Sequence, residues 1–487
     1  MRVRKEAFTM SMLSEKLKEI IQKKQIKMYT LANLCNIDRA ALYKYVNGDR
    51  KISMEVFRQL AEGLRLSPEE RAELTACFNI ADMGEEEYLR RSCTAEFLSS
   101  FRVAPAEQPV SKALPGPGPK GALYGSLEIN HAVQAAVRAE MERNNGEVLL
   151  MAQPEYESLF QALPALALEK GNCTIRHILC LEGTEKSGDN RYNLRCLRAA
   201  MQAAGSGCTY VPYYYYDNVH AHFSNNNLLP CLVVTGGCAI QISSRAEYAL
   251  CHREKEQVAF FQKLFAEAVK KSQPLCGKIH TLAENLPFDE QMTLNREPPR
   301  YCISAEPCLI PCLSRDMLER SVNWHLPGAG AVVDQLMEYI RGQNGERGGR
   351  SVQIDYFTLE GLDYFCNTGR IWQIPEFDCA PLPARDRHEL LRRYSTMWSD
   401  SRVHLMLRPE IPRVSVGLEA VVCRGGAVCL IQEHHPNAYA AFLLCEKSLS
   451  YCFKDLLSSL EKSGGAYTQE ETRAVLQQKM EGLKAQF

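Results

Sequence analysis

The sequence predicts a multidomain protein: an N-terminal all-α helix-turn-helix bundle followed by a duplicated two-lobed α/β body. Three observations predict it. Residues 28–67 place apolar side chains at helical spacing on both sides of a sharp turn at Asn36. Residues 104–121 are rich in proline and glycine and carry no periodicity, so they divide the chain. Beyond them one order of six elements occurs twice. The boundaries drawn from these features are 1–80 for the helical module and 81–121 for a helix plus linker. The first lobe takes 122–295, and the second lobe, with an extra C-terminal helix, takes 296–487.

The helical module can be read in order. Leu13, Leu17, Ile20 and Ile21 form one side of an amphipathic helix whose polar side carries Lys16, Lys18 and Lys23. Leu31 and Ala32 open a second helix. Asn36 follows it at the turn, because asparagine visits left-handed backbone angles. Asp38 is placed to cap a third helix, with Leu42, Tyr45 and Val46 inward and Arg39, Ala40, Tyr43 and Lys44 outward. Asn47-Gly48 stops that helix, and Asp49-Arg50-Lys51 brings charge to its exit. A fourth helix runs from about Ser53 to Leu64 on Val56, Phe57, Leu60 and Ala61. Ser67-Pro68-Glu69-Glu70 is a capping box with proline at the first helical position, opening a fifth helix through Leu74 and Phe78. A charged helix spans about Gly84 to Phe101.

Leu31-Ala32, the Asn36-Ile37-Asp38 turn, Leu42, Asn47-Gly48, Arg50, Leu60-Ala61, Leu64 and Leu66-Ser67 recur at fixed spacing. On these residues the region from about 10 to 80 resembles the Cro/repressor-like (XRE-type) helix-turn-helix family. It departs in having Asn36 where that family usually has glycine. The resemblance implies that the positions of Arg39, Ala40 and Lys44 contact bases, with Tyr43 beside them. It also implies that Lys27, Asn47, Arg50 and Lys51 lie near phosphates. The residue types suit DNA contact, since an arginine can grip guanine with a donor fork in the major groove, and lysines neutralise the backbone.

Composition narrows the partners. An apolar content of 46% with a net charge of −1 describes a globular chain, not a disordered one. The near-zero total conceals an asymmetry: residues 1–65 hold 14 Lys/Arg against 7 Asp/Glu, which leaves the first module near +7 and the remainder near −8. A basic module on an acidic body points to a polyanion as partner of one end, and the resemblance implies that it is double-stranded DNA. No apolar run of membrane-spanning length occurs, and MRVRKEAFTM lacks the apolar core of a secretory signal, so a cytosolic protein without membrane contact is expected. The 20 cysteines are scattered without a CxxC pair and read as reduced, buried small hydrophobes. Cys302, Cys308 and Cys312 form the one local cluster, but their spacing, with Pro307 and Pro311 between them, fits no zinc site. No metal and no cofactor is assigned.

In the body, the first copy runs through a helix near Asn130–Arg143, a strand at Val148–Ala152 and a short helix with Glu155 and Phe160. A helix near Asn193–Met201, a strand at Tyr210–Tyr216, a hairpin at Gly236-Gly237 and a helix near Arg253–Lys271 complete it. The second runs through Ala331–Arg341, Val352–Phe357, a short helix with Glu360 and Phe365, and Glu389–Met397. Val403–Leu407, a hairpin at Gly425-Gly426 and Glu446–Lys462 follow. Thr468 and Glu471 cap a last helix outside the repeat. Tyr213 and Tyr215 share one face of their strand, and with His220 and His222 they are the candidate lining of a ligand pocket. A duplicated α/β unit with an H-x-H near a strand loosely resembles the phospholipase D superfamily, whose halves each bring an H-x-K motif to a shared cleft. Here His222 stands where that lysine would be, and the second copy, through Arg408–Val416, has no such histidine. The resemblance implies a fold and a cleft without the catalytic motifs, and no catalytic residue is assigned.

These readings describe a bacterial-type, cytosolic, sequence-specific DNA-binding transcriptional regulator. A short recognition helix covers one half-site, so a homodimer is expected, with a small-molecule effector bound in the body. The alternative is a phospholipase D-like phosphodiesterase or nuclease targeted by its helical module. A third reading makes the body a dimerisation scaffold alone.

Overall fold

The computed structural model describes residues 2–100, 121–169, 173–183, 190–204, 208–221, 223, 227–279, 300–326, 328–344, 352–374, 379–399, 402–409, 411, 413–422, 428–435, 438–444 and 446–487. The linker at 104–120, His222 and the Gly425-Gly426 hairpin turn fall outside them. The chain divides into two compact units, the first built on Met1–Cys93 and the second on Thr94–Lys186, Asn190–Ser459 and Gly465–Phe487.

The first unit is all helical: α1 (Arg2–Lys23), α2 (Met28–Cys35), α3 (Arg39–Asn47), α4 (Met54–Gly63), α5 (Pro68–Met83) and the start of α6 (Glu85–Ser100). Its core gathers Leu17, Ile20, Leu31, Leu42, Leu60 and Leu74, the positions that the helical spacing turned inward. Complete burial of each leucine stabilises the bundle by roughly 1.5–3 kcal/mol. Phe57 and Phe78 stack with ring centroids 4.3 Å apart, fixing α4 against α5. The capping box at Ser67 and Glu70 is formed in both directions. Lys24, the Ser67 backbone and Lys23 hold the Glu70 carboxyl at a pKa of about 2. Where α2 and α4 cross, Gly63 lets the backbones approach: a Cβ there would collide with the Cys35 sulfur.

The second unit holds two mixed α/β sheets. The first lobe comprises β1 (Gly121–Tyr124), α7 (Ser126–Met141), β2 (Gly146–Met151), α8 (Glu157–Glu169), β3 (Cys173–Glu182) and α9 (Arg191–Ala204). It continues with β4 (Thr209–Asp217), β5 (Cys231–Val234), β6 (Ala239–Ile242), β7 (Tyr248–His252), α10 (Lys255–Lys270) and β8 (Gln273–Pro274). The second lobe comprises β9 (Cys276–Ile279), β10 (Arg300–Ser304), α11 (Arg315–Ser321), α12 (Ala329–Asn344), β11 (Gln353–Phe357), α13 (Leu359–Thr368) and α14 (Ala384–Thr396). It closes with β12 (Arg402–Met406), β13 (Leu418–Val422), β14 (Val428–His435), β15 (Ala438–Leu444), α15 (Lys447–Leu460) and α16 (Gln469–Lys484).

Strand order shows the duplication. The first sheet reads β1-β7-β6-β5-β2-β3-β4-β8 and the second β9-β15-β14-β13-β10-β11-β12, the same order of seven strands with β8 added to the first. In each, three parallel strands continue into an antiparallel meander. The expected pairing of elements was out of phase in its first half. Val148–Ala152 matches β10 by position in the sheet, not Val352–Phe357, whose counterpart is β3. β3 escapes a search for alternation because Ile175 and Ile178–Leu181 are all buried, so both its faces read as apolar. From β4 and β12 onward the matching is as expected. Glu155 precedes α8 instead of lying within it. The capping box of Thr468 and Glu471 opens α16, whose Leu476 and Leu483 join the core of the second lobe. The last turns of α6 also belong to this unit, where Phe97 meets Phe453 edge-on at 5.6 Å.

Candidate nucleic-acid interface and ligand cavity

The surface of α3 is set by the turn before it. Asn36 adopts φ 51° and ψ 44°, the left-handed conformation its side chain tolerates best among non-glycine residues. The Ile37 N–H then bonds the Ala32 carbonyl at 3.0 Å, closing α2. Asp38 accepts the Ala41 N–H at 3.0 Å, capping α3 and fixing its first residue, Arg39, at the outer edge. Gly48, at φ 81°, ends the helix, and the Asp49 N–H returns to the Lys44 carbonyl at 2.8 Å. Leu42, Tyr45 and Val46 are buried. Consequently Arg39, Ala40, Tyr43 and Lys44 are all exposed on one side, as are Lys27, Asn47, Arg50 and Lys51 around it.

Two of these cations are held by aromatic rings: the Arg39 guanidinium lies 5.7 Å from the Tyr43 ring centre, and that of Arg50 lies 5.2 Å from Tyr45. Such contacts limit rotamer freedom without consuming the guanidinium donors. Lys51 is engaged differently, pairing with Asp82 at 2.8 Å. It must exchange a carboxylate for a phosphate to serve as a backbone contact. The exposed side of α2 adds Tyr29, Thr30, Asn33 and Leu34 to the same module, residues that the motif spacing alone did not single out.

In the second unit, a cavity of about 260 Å³ opens at the carboxyl ends of the parallel strands β2, β3 and β4, where open α/β sheets collect ligands. Gln153 and Glu155 follow β2, Glu182 ends β3, and Val219 and His220 follow β4, while Tyr192 comes from the first turn of α9. The Gln153 amide is satisfied in one orientation only. Its oxygen then accepts the Cys180 N–H at 2.7 Å, and its nitrogen faces the Cys180 carbonyl and the Tyr192 hydroxyl, each at 3.2 Å. That leaves the Tyr192 hydroxyl to donate to Glu155 at 3.1 Å. Burial, with the nearby Cys196 and Glu155, holds the Tyr192 phenol well above its ordinary pKa, so it stays a donor. Glu155 also meets Arg195 at 3.5 Å, and Glu182 accepts the Val219 N–H at 3.2 Å.

Of the four residues expected to line a pocket, the structure brings His220 to this wall. Tyr215 lies one layer behind it, against Cys180, Val219 and Phe223. Tyr213 packs with Leu149, Ile178 and Phe265 beneath α10. His222 is outside the described residues. The carboxylates Glu155 and Glu182 were missed because Glu155 was placed inside a helix it precedes, and the placement of Glu182 depends on knowing where β3 ends.

Other titratable clusters are interior. His177 bonds the Tyr210 hydroxyl at 2.6 Å and the Ala152 carbonyl at 2.8 Å. His404 lies 3.0 Å from the Tyr394 hydroxyl and 3.2 Å from Asp355. Burial pushes both histidines down to about 4, and neither ring reaches solvent. Burial likewise pushes the Cys302 and Cys308 thiols far up and Cys312 to about 12, and Cys302 donates to Glu419 at 3.1 Å. Among the described residues no group of three histidine, cysteine or acidic side chains is placed to hold a metal ion. Gly236 gives its N–H to Glu140 at 3.0 Å, so this hairpin turn is occupied by a carboxylate and does not cradle phosphate.

Comparison with known proteins assigns the first module. The helix-turn-helix family matches residues 17–71, which supports an XRE-like DNA-binding module there. No curated protein matches the chain. Among solved structures, the archaeal chromatin protein TrmBL2, described as showing a novel mode of DNA binding, is 12% identical. Its match covers 54% of this chain and 99% of its own, with a TM-score of 0.20. Phosphatidylserine synthase from Haemophilus influenzae Rd KW20 is 10% identical over 81% of this chain and 97% of its own, with a TM-score of 0.24. Both superpose too loosely to define the fold of the body.

Proposed function

We propose that this chain is a sequence-specific DNA-binding transcriptional regulator whose α/β body senses a small molecule, sets the oligomeric state, or both. The observation that carries the reading is the outward face of α3, where Arg39, Ala40, Tyr43 and Lys44 stand exposed on a helix fixed by the Asn36 turn and the Asp38 cap. Such a helix fits the major groove, with its N-terminal residues toward base edges and the exit segment toward phosphates. One recognition helix of nine residues reads a half-site, which favours a homodimer on a two-fold operator. No helix among the described residues is long and apolar enough to cross a membrane.

The reading assigns the body no catalysis. A phosphodiester entering the cavity would face Glu155 and Glu182, and no lysine or arginine is among the described residues that line it. Phosphoryl chemistry needs the opposite charge. A genome-wide binding footprint of the full chain, followed by anisotropy titrations on the recovered site and on scrambled DNA, tests the proposal. A recurrent two-fold site bound at least a hundredfold more tightly than scrambled DNA is expected, and equal affinity for both would overturn it.

A further inference from the structure

The lobe 1 cavity has a composition that selects among ligands. Its charged groups are the carboxylates Glu155 and Glu182, with His220 as the one side chain on the wall able to carry a positive charge among the described residues. Glu155 shares its charge with Arg195, whereas Glu182 has no cationic partner among the described residues, and the one described hydrogen bond of its carboxylate comes from the Val219 N–H. The rings of Tyr156, Tyr192 and Phe223 line the same space. Tyr156 is 5% exposed, and its hydroxyl, buried, has no hydrogen-bond partner among the described residues. Carboxylates combined with aromatic walls attract ammonium and guanidinium groups, through direct charge pairing and through the negative ring faces.

We propose that this cavity binds a small organic cation, a metabolite carrying an ammonium or guanidinium group, with Glu182 and Glu155 as its counter-ions and Tyr192 and Phe223 as its walls. The inference deepens the reading of the body as a sensor and rests on it. An anion is repelled by both carboxylates. A neutral polyol leaves the charge of Glu182 uncompensated in a partly desolvated site. For an inorganic cation, no group of three histidine, cysteine or acidic side chains among the described residues is placed to hold it. The volume, just below the range of drug-sized sites, suits a compact metabolite.

Calorimetric titration of the full chain, without DNA, with putrescine, agmatine and choline tests the proposal, with glucose and glycerol 3-phosphate as neutral and anionic counterparts. At least one cation is expected to bind saturably and more tightly than either counterpart. Glu182→Gln should weaken it at least about tenfold, and raising NaCl from about 50 to about 300 mM should weaken it further. Because Glu182 also receives the Val219 N–H, Glu155→Gln serves as the second variant, with an expected loss of several-fold and an unchanged melting temperature. The proposal is overturned if none of the three cations binds, if glucose or glycerol 3-phosphate binds as tightly as the best cation, or if both variants bind as the parent does. DNA is absent from the titration, so failure of the regulator reading and failure of this one are separate results.

Discussion

Asn193 grips the main chain of Glu182 at both of its polar groups. Its Oδ1 accepts the Glu182 N–H at 2.9 Å and its Nδ2 donates to the Glu182 carbonyl at 3.1 Å, so one side-chain amide acts as the missing strand neighbour at the end of β3. The same Nδ2 reaches Ser448 Oγ in the second lobe at 3.1 Å. Ser448 Oγ in turn donates to the buried Glu446 at 2.8 Å, and Glu446 receives the Tyr216 hydroxyl from β4 of the first lobe. A residue of the cavity wall is thus tied to the seam between the two sheets by a continuous hydrogen-bonded chain.

Asn193→Ala should therefore cost more than a surface change. It strands the main-chain N–H and C=O of Glu182 and removes the donor that Ser448 Oγ accepts, in a site that is fully buried at Asn193, at a penalty of about 2–3 kcal/mol. Asn193→Asp keeps the acceptor, loses the donor and adds a charge near Glu446, and should be at least as harmful. Urea denaturation followed by tryptophan fluorescence measures this, since all three tryptophans, at 324, 372 and 398, lie in the second unit. A loss under about 0.5 kcal/mol would show that the amide bridge is not structural.

Much of the first unit was legible because its signals are local. The Asn36 turn, the Asp38 cap and the box at Ser67 and Glu70 each depend on residues within four positions of one another, and each stands where expected. The body resisted because its signals are not local. β3 is buried on both faces and shows no alternation, so its loss displaced the first half of the repeat by one strand. With it went the position of Glu182, and hence the cavity. His220 alone was legible there, as a polar residue directly after a strand.

Arg39 and Arg50 should separate into two kinds of contact. On the proposed reading Arg39, exposed at the start of α3, is a base contact, so Arg39→Ala should lose about 1–3 kcal/mol on the specific site and relax sequence choice. Arg50, exposed beyond the Gly48 stop, is on the same reading a phosphate contact. Arg50→Ala should weaken all DNA alike and reduce the salt dependence of binding by about one charge. Titrations on specific and scrambled DNA across a range of NaCl distinguish them. Equal loss on both DNAs for Arg39→Ala would make it a phosphate contact as well.

Gly63 and Cys35 should behave as a coupled pair. A methyl group at Gly63 meets the Cys35 sulfur far inside van der Waals distance, while the next atoms, the Cys35 backbone nitrogen and Cβ, lie at 3.6 and 3.7 Å. Gly63→Ala alone should destabilise the bundle by about 1–3 kcal/mol through overpacking, in spite of the better helix propensity of alanine. Removing the sulfur by Cys35→Ala opens the space, so the double variant should recover most of that loss. A double-mutant cycle by chemical denaturation reads the coupling, and strictly additive losses would refute the close approach.

The two buried histidines give the second unit an acid-sensitive interior. Burial holds His177 and His404 at about 4 in the folded state, against about 6.5 in an unfolded chain. Between those values the unfolded chain binds more protons, so stability is fully present above about pH 6.5 and declines as pH falls toward 4. Each histidine can withdraw up to roughly 3 kcal/mol over that window. His177 also loses a neutral-ring arrangement that satisfies both its nitrogens, at Tyr210 and Ala152. Melting of the second unit, followed by tryptophan fluorescence, should move down by several degrees between pH 7 and pH 5. His177→Gln should melt lower at pH 7 and show a shallower pH slope. A melting temperature that stays flat from pH 7 to pH 5 would mean that neither ring is held neutral by its surroundings.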